Sequence, residues 1–313
     1  MNQVFLFHKI PSKKWFKSTL STIKTIYNYI SINNIESYYY DNKILNNSCH
    51  VTFDDGDISV YENAFPILKE LKIPATIFVS PKVIQNGTNY WFQELSYLEN
   101  TIGKSEIINT LSKVMKCSSK LIEDFSVDSL FNSLKINDIN RVIKHIKRGN
   151  NIECTKKFNM TINQLLEMNE SKLITVGSHT LSHPILANEN FIDCENEIKE
   201  SILLLSKMLS KKIKYFAYPN GLTGNDYTNR EKRILAENGI KFAFATNYGE
   251  YFTPNTDQLG IARTGISRGR RPLIYSKILL CPVWESLLKI ISRGNTQRKE
   301  RKLIKDINVL SRY

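Results

Sequence analysis

The amino-acid sequence predicts an α/β fold in which parallel strands alternate with helices, arranged as a layered sheet or as a closed barrel. Short apolar runs rich in β-forming residues alternate with segments of helical periodicity along most of the 313 residues. The composition, with 42% apolar and 23% charged residues, is that of an ordinary globular protein. A chain of this length buries enough surface to fold without disulfides or a structural metal.

The strands are predicted from short apolar and β-branched runs that polar or turn residues bound on both sides. The run at 75–79 is a clear case, because Pro74 directly precedes the sequence Ala-Thr-Ile-Phe-Val. Seven such runs occur, at 3–7, 50–53, 75–79, 173–176, 213–218, 241–246 and 259–262.

The helices are predicted from apolar periodicity and from their end signals. Pro66 lies near the start of one predicted helix, and Gly239 follows another as a left-handed cap would. The predicted helices cover 13–30, 61–72, 91–115, 120–147, 161–169, 190–210 and 227–238.

The domain organisation follows from where the strand signals stop. Residues 1–272 are interpreted as one barrel domain, interrupted by a helical insertion at about 103–157 that is polar and carries no strand signal. Residues 273–313 are interpreted as a basic, helical C-terminal tail.

Most of the net charge of +13 lies in residues 263–313, which include that tail. From Arg263 to Tyr313 there are 13 basic and 3 acidic residues. Trp284, Leu287 and Ile291 place apolar bulk beside the basic clusters, a combination typical of helices at a membrane surface. We therefore predict peripheral contact with anionic membrane. Nucleic-acid binding is the alternative use of the charge, but no recognised nucleic-acid module supports it.

Two further features bear on location. The five cysteines are odd in number, scattered and never at metal-binding spacing, as expected of reduced core thiols. No apolar run approaches the roughly 20 residues that span a bilayer, and the N-terminal apolar run stops at His8. These observations predict a cytoplasmic protein, with peripheral placement at the inner face of the cell membrane as an option.

Four of the predicted strands end on ionisable or metal-binding side chains. In parallel α/β folds the active site lies at the carboxyl ends of the strands, so these residues are expected to meet in space. They are His8, the pair Asp54-Asp55, His179 and Arg263.

Two pairs of residues have an ordinary structural interpretation as well as a functional one. His179 and His183 could face one metal ion from a tight turn, with a carboxylate completing an open three-ligand site. The same residues could instead be partly exposed at a helix N-terminus. Asp54 and Asp55 could divide into a metal ligand and a proton acceptor, or could belong to an ordinary acidic turn before Gly56.

The two motifs together resemble the polysaccharide deacetylases, the carbohydrate esterases with a NodB-homology domain. Residues 52–56 read Thr-Phe-Asp-Asp-Gly, and residues 178–184 read Ser-His-Thr-Leu-Ser-His-Pro. The resemblance extends over about residues 3–265, apart from the insertion. It implies a distorted (β/α) seven-stranded TIM-like barrel, here with the helical insertion and the basic tail.

The resemblance also implies a chemistry. Asp55, His179 and His183 would hold a divalent metal, zinc in the first place, with Co²⁺, Ni²⁺ or Mn²⁺ as alternatives. Asp54 would be the general base for an attacking water. The reaction would remove N-acetyl groups from N-acetylhexosamine in a bacterial surface polysaccharide or in its lipid- or nucleotide-linked precursor. The expected partner is therefore a glycan or glycolipid.

The sequence departs from the family pattern in two places. The usual Arg-x-Pro-Tyr motif reads Ala-Tyr-Pro-Asn at 217–220, so Arg263 is the candidate that orients Asp54. The late histidine that protonates the leaving amine is absent, and His8 resembles the acid of a rearranged subgroup with an N-terminal Tyr-His-Arg-Ile-like strand. Predicted substrate and oxyanion contacts are Tyr218, Pro219, Asn220 and Trp91.

These departures keep two alternatives open. A relative that binds glycan without catalysis would share the fold, and a deformylase or other deacylase would share the mechanism. Release of acetate from an N-acetylated sugar distinguishes the enzyme from the silent relative.

Overall fold

The structure is a computed structural model that describes residues 1–247, 251–269, 271–279 and 299–304. The strands are β1 (Asn2–Phe7), β2 (Asn28–Tyr29), β3 (Ser48–Phe53), β4 (Ala75–Val79), β5 (Ile174–Ser178), β6 (Tyr215–Ala217), β7 (Phe242–Ala245), β8 (Ile261–Ala262) and β9 (Thr264–Gly265). They form a sheet in the order β8, β7, β6, β5, β4, β3, β1, β9, with β2 paired on β3. Every one of these pairings is parallel.

One short segment closes the sheet into a barrel. β8 pairs with β7 through Ala262, β9 pairs with β1 through Thr264, and Arg263 alone separates β8 from β9. The segment therefore connects the two ends of the sheet, and the result is a nearly closed, distorted (β/α) barrel. The fold class predicted from the sequence is confirmed.

The seven predicted strands all correspond to strands of the barrel. β2 and β9 were not predicted, since each has only two residues and shows no periodicity.

The helices cover the outside of the barrel and form a separate layer between β4 and β5. They are α1 (Lys13–Lys24), α2 (Ile32–Tyr40), α3 (Phe65–Leu71), α4 (Pro81–Asn86), α5 (Trp91–Met115), α6 (Val127–Phe131), α7 (Ile136–Asn150), α8 (Ile162–Glu170), α9 (Phe191–Leu209), α10 (Asn229–Glu237) and α11 (Arg271–Leu279). Residues 299–304 are also helical.

The predicted helix 13–30 is wrong beyond Lys24. The chain leaves α1, forms β2 and then begins α2, which was not predicted. The side chain of Ser31 accepts a hydrogen bond from the backbone of Asn34, whose side chain bonds back to the backbone of Ser31. This capping box starts a new helix just after residue 30, where the predicted helix ended.

Three hydrophobic clusters lie among the described residues. The first packs the strands of the barrel against the surrounding helices, as where Phe53 contacts Phe16 of α1. The second joins α5, α6 and α7, and Ile304 from the C-terminal segment packs into it. The third includes Phe78 of β4 and Phe244 of β7.

The helical layer begins with α5 at Trp91, before the predicted start of the insertion at 103. Gly103, with a φ of 80°, kinks α5. The limits of the insertion, at about 103 and 157, remain a prediction.

The predicted membrane-facing stretch with Trp284, Leu287 and Ile291 lies outside the described residues. Among the helices that are described, none combines the length and the apolar character that crossing a bilayer requires.

Candidate active site

The site is built from residues that directly follow barrel strands. The register pairs Phe7 with Phe53, so His8 and Asp54 come next at the same level of the barrel. His179 follows β5 in the same way and its N–H donates to the carbonyl of Val79, 3.0 Å away. These residues border a cavity of about 700 Å³ at the carboxyl ends of the strands, lined by His8, Asp54, Asp55, His179 and His183 among others.

Asp55, His179 and His183 form a buried cluster in which the candidate ligand atoms all lie within 4.8 Å of one another. Asp55 Oδ1 is 3.6 Å from His179 Nε2 and 3.4 Å from His183 Nε2. One carboxylate with two imidazoles is the donor set of an open catalytic zinc site.

Backbone geometry aims the carboxylate of Asp55 into this cluster. Asp55 has a φ of 68° and Gly56 a φ of 72°, so the chain turns through two consecutive left-handed residues. A side chain at position 56 would be strained in that conformation, and its Cβ would lie 3.1 Å from Val79 Cγ1. The Asp-Asp-Gly sequence thus turns sharply and directs the two carboxylates to different partners.

The two histidines present suitable nitrogens. His179 Nδ1 is 2.7 Å from the carbonyl of Ala217, which fixes a proton on Nδ1 and leaves Nε2 free to bind a metal. Burial lowers the pKa of His179 to about 4 and holds the pKa of His183 well below its ordinary value. Both rings are therefore in the neutral form that coordinates metals.

The charge balance of the cluster also fits a cation. Burial, followed by the neighbouring charge of Asp54, raises the pKa of Asp55 well above its usual range. Asp55 Oδ1 and His183 Nδ1 are buried, and neither has a hydrogen-bond partner among the described residues. A divalent cation between the three side chains would satisfy the carboxylate and stabilise its ionised form.

Asp54 has a different partner. Its two carboxylate oxygens accept hydrogen bonds of 2.7 Å each from Nη1 and Nη2 of Arg263. Burial alone would raise the pKa of Asp54, but the guanidinium of Arg263, together with His179, outweighs burial and lowers the pKa to about 2. Asp54 is thus an ionised carboxylate held in one orientation beside the cluster of Asp55, His179 and His183. Its Oδ2 is 3.9 Å from His179 Nε2.

Arg263 itself is held by the barrel. Its Nε donates to the carbonyl of Ala245 at 3.2 Å, and the side chain is fully buried. The break between β8 and β9 places this residue where its side chain enters the barrel.

His8 lines the cavity and keeps an exposed surface toward it. The surrounding protein lowers its pKa through burial, while the charge of Asp54 opposes that shift. The structure thus brings His8 to the same cavity as Asp54.

The turn after β6 contributes less than expected. The N–H of Tyr218 donates to the carbonyl of Phe244 in the sheet, and its side chain is buried against Tyr227 with ring centroids 3.7 Å apart. Pro219 has no N–H and is buried. Of these three predicted contacts, Asn220 is the one that lines the cavity.

Two aromatic residues from the start of α5 form one wall. Trp91 is 6% exposed and its Nε1 donates to the carbonyl of His183 at 2.9 Å, so it supports the cluster from behind. Phe92 is less buried, lines the cavity and packs 4.9 Å from the His183 ring. Phe92 is therefore better placed than Trp91 to stack on a sugar ring.

Another part of the cavity wall was not predicted from the sequence. Asp226, from the loop after β6, and Arg301, from the C-terminal segment, both line the cavity and form an ion pair of 2.7 Å. Both side chains are buried. Arg301 belongs to a charge run that the sequence placed at a membrane surface, and no motif signalled its position here.

The chain matches the sequence profile of the family described as polysaccharide deacetylase over residues 42–113 and 128–245. It is 24% identical over 254 residues to a poly-β-1,6-N-acetyl-D-glucosamine N-deacetylase of Staphylococcus aureus, a match that covers 81% of this chain and 64% of that protein. The corresponding protein of Staphylococcus epidermidis is 26% identical over 263 residues, with coverages of 80% and 66%. The chain thus spans slightly less than two thirds of the length of these relatives.

Among solved structures, IcaB from Ammonifex degensii is similar in fold. The TM-score is 0.59 at 20% sequence identity, and the alignment covers 88% of this chain and 96% of the other.

Proposed function

The chain belongs to the polysaccharide deacetylase family, and from that premise we propose that it removes N-acetyl groups from N-acetylhexosamine residues of a bacterial polysaccharide. One observation carries the proposal. The ionised, arginine-held carboxylate of Asp54 lies beside the buried cluster of Asp55, His179 and His183 in one cavity. A general base next to a metal site is an arrangement suited to metal-dependent hydrolysis of an amide.

Asp55, His179 and His183 would hold a divalent metal, with zinc favoured by the donor set. When bound, such an ion polarises an amide carbonyl and makes a neighbouring water more acidic. All three side chains are buried, so the surrounding protein holds them in place.

Asp54 takes the proton of the attacking water. Its low pKa keeps it ionised at neutral pH, and the two bonds from Arg263 fix its orientation with Oδ2 3.9 Å from His179 Nε2. Water adds its oxygen to the acetyl carbon, the C–N bond then breaks, and acetate leaves. Arg263 acts here as the arginine that the Ala-Tyr-Pro-Asn turn lacks.

His8 supplies the proton that the departing amine nitrogen needs. It lines the same cavity, and imidazole is the side chain that most often transfers protons in catalysis. Asn220 is placed to contact the acetamido group from the turn after β6.

The substrate we propose is a polymer rich in N-acetylglucosamine or its lipid- or nucleotide-linked precursor. The names of the staphylococcal relatives support the sugar, and the cavity, open at the barrel mouth and walled by Phe92, supports a glycan chain. Contact of the tail with anionic membrane would suit a lipid-linked precursor, and vesicle flotation of the full chain tests it.

The proposal predicts separate losses for two neighbouring carboxylates. Purified protein with zinc should release acetate from N-acetylglucosamine oligomers. Asp54→Asn should keep the metal and lower kcat about 100- to 10,000-fold, because the base is removed. Asp55→Ala should lose the metal, measured by elemental analysis after dialysis.

An Asp54→Asn protein that turns over normally would defeat the assigned mechanism. Wild-type protein that binds zinc and oligomer yet releases no acetate would favour a glycan-binding relative instead.

A further inference from the structure

The turn between the two histidines has a strained backbone. Thr180 has a φ of 64° and His183 a φ of 65°, although neither is glycine. A β-branched residue such as threonine rarely adopts this conformation, so the turn needs contacts from outside to persist. The turn consists of residues 179–183 and carries both candidate imidazole ligands.

A single carboxylate from α9 contacts the middle of this turn. Glu197 Oε2 accepts hydrogen bonds from the N–H of Leu181 at 3.0 Å and of Ser182 at 2.9 Å. Glu197 Oε1 accepts the hydroxyl of Ser182 at 2.5 Å. Two successive N–H groups and a hydroxyl thus converge on one anion, as in backbone turns that bind anions.

Other contacts also support the turn: the N–H of His183 donates to Thr180 Oγ1 at 3.0 Å, and the N–H of Leu181 also approaches the backbone carbonyl of Glu197 at 3.1 Å. Ser80 Oγ donates to the carbonyl of His179 at 2.8 Å, and Trp91 Nε1 donates to the carbonyl of His183 at 2.9 Å. Between these two anchors, the peptide groups of Leu181 and Ser182 bond to Glu197. A change of the Glu197 side chain would therefore remove the acceptor of the Ser182 N–H and leave Leu181 only the backbone carbonyl of Glu197, which loosens the segment between the two imidazoles.

We propose that Glu197 is a positioning residue that holds the 179–183 turn in the conformation in which His179 and His183 can bind one metal ion. The inference rests on the proposed metal site and adds a residue that lies outside the motifs. Glu197 contacts neither the cavity nor a candidate ligand atom, since it acts on the backbone of the turn.

The test compares the zinc affinities of Glu197→Gln and wild-type protein by competition with a chromophoric chelator. The amide of glutamine can accept on one side only, and its NH₂ group would face N–H or O–H donors. We expect zinc to bind about 10- to 100-fold more weakly. With saturating zinc, kcat should largely recover, and KM for the oligomer should stay unchanged.

Glu200→Gln is the matched control, because Glu200 is exposed on the same helix three residues further along. It should bind zinc as the wild type does. In Co²⁺-loaded protein, the visible absorption bands should change for Glu197→Gln and not for Glu200→Gln. Ser182→Ala, which removes only the hydroxyl contact, should show a smaller loss of zinc affinity.

The outcomes separate the two levels of the argument. Wild-type affinity and unchanged Co²⁺ bands in Glu197→Gln would overturn the inference and leave the proposed function intact. A lower melting temperature of the metal-free variant with unchanged zinc affinity would overturn it as well, since that is a purely structural effect. Wild-type protein that binds no divalent metal would overturn both the metal site and this inference.

Discussion

At the scale of single residues, the contact between Asp54 and Arg263 determines the protonation state of the base. Burial of a carboxylate favours its neutral form, and an adjacent guanidinium favours the charged form. Here the guanidinium prevails, because both of its terminal nitrogens bond to Asp54 at 2.7 Å. The planar fork of arginine also fixes the direction of the carboxylate, which a single ammonium group cannot do.

Arg263→Lys should therefore lower kcat by roughly 100-fold with little change in KM, since the charge remains but the base is displaced. Zinc binding should persist. Steady-state kinetics with metal analysis of the same samples measures both. Arg268→Lys serves as the control, because Arg268 is exposed nearby on the chain. A kcat for Arg263→Lys within twofold of wild type would contradict the positioning role.

Sequence motifs led to the residues whose chemistry is written in their type and spacing. The Asp-Asp-Gly and His-x-x-x-His patterns pointed to the cluster, and the missing arginine of the 217–220 motif directed attention to Arg263. Glu197 could not be found in this way, because it lies in a helix with no motif and acts through backbone groups. Tyr218 could not be placed either, since the partner of its N–H depends on strand pairing.

At the scale of elements, the strand that leads into the histidine turn is packed without spare room. Gly177, in β5, lies against the ring of Phe78, and an added Cβ would be 2.5 Å from two of its ring carbons. The same Cβ would be 2.9 Å from the carbonyl oxygen of Tyr215. Backbone atoms cannot move aside as side chains can, so this position needs a residue without a side chain.

Gly177→Ala should lower the free energy of unfolding by about 1–3 kcal/mol through overpacking, measured by urea denaturation. Gly149→Ala is the matched control with the opposite sign. Gly149 lies in α7 with no atom within 4 Å of an added Cβ, so alanine should raise stability by about 0.5–1 kcal/mol. Equal effects of the two substitutions would show that the crowding at 177 is absent in solution.

Elements with a long apolar periodicity were predicted from the sequence, whereas short helices that begin at a capping residue were not. The strands of the barrel and helices such as α9 carry long apolar patterns that tertiary packing reinforces. α2 depends on the Ser31 capping box and on packing of Ile32 and Ile35, which a short, tyrosine-rich segment does not reveal. The predicted helix at 120–147 is interrupted for the same reason, since Ser126 caps a separate α6.

At the scale of the whole molecule, the C-terminal segment 299–304 ties the barrel to the helical layer. Arg301 pairs with Asp226 of the barrel loop, and Glu300 accepts hydrogen bonds from the N–H and hydroxyl of Ser126 at the start of α6. Ile304 packs into the second hydrophobic cluster. The sequence could not show this, because a basic run next to apolar residues suits a membrane surface and a protein cleft equally well.

The buried pair of Arg301 and Asp226 should be strongly coupled in a double-mutant cycle. Asp226→Asn keeps an acceptor for the N–H of Leu222, which Asp226 Oδ2 now accepts at 2.8 Å, but leaves the charge of Arg301 buried without compensation. We expect a loss of about 3–5 kcal/mol in the free energy of unfolding. Arg301→Met alone should also be destabilising because it removes the ion pair, and the double variant should lose less than the sum, because each single change already removes the same interaction. Lys302→Met, at an exposed neighbouring position, should change stability by less than about 0.5 kcal/mol. Additive losses in the cycle would mean that the segment does not close the cavity wall through this ion pair.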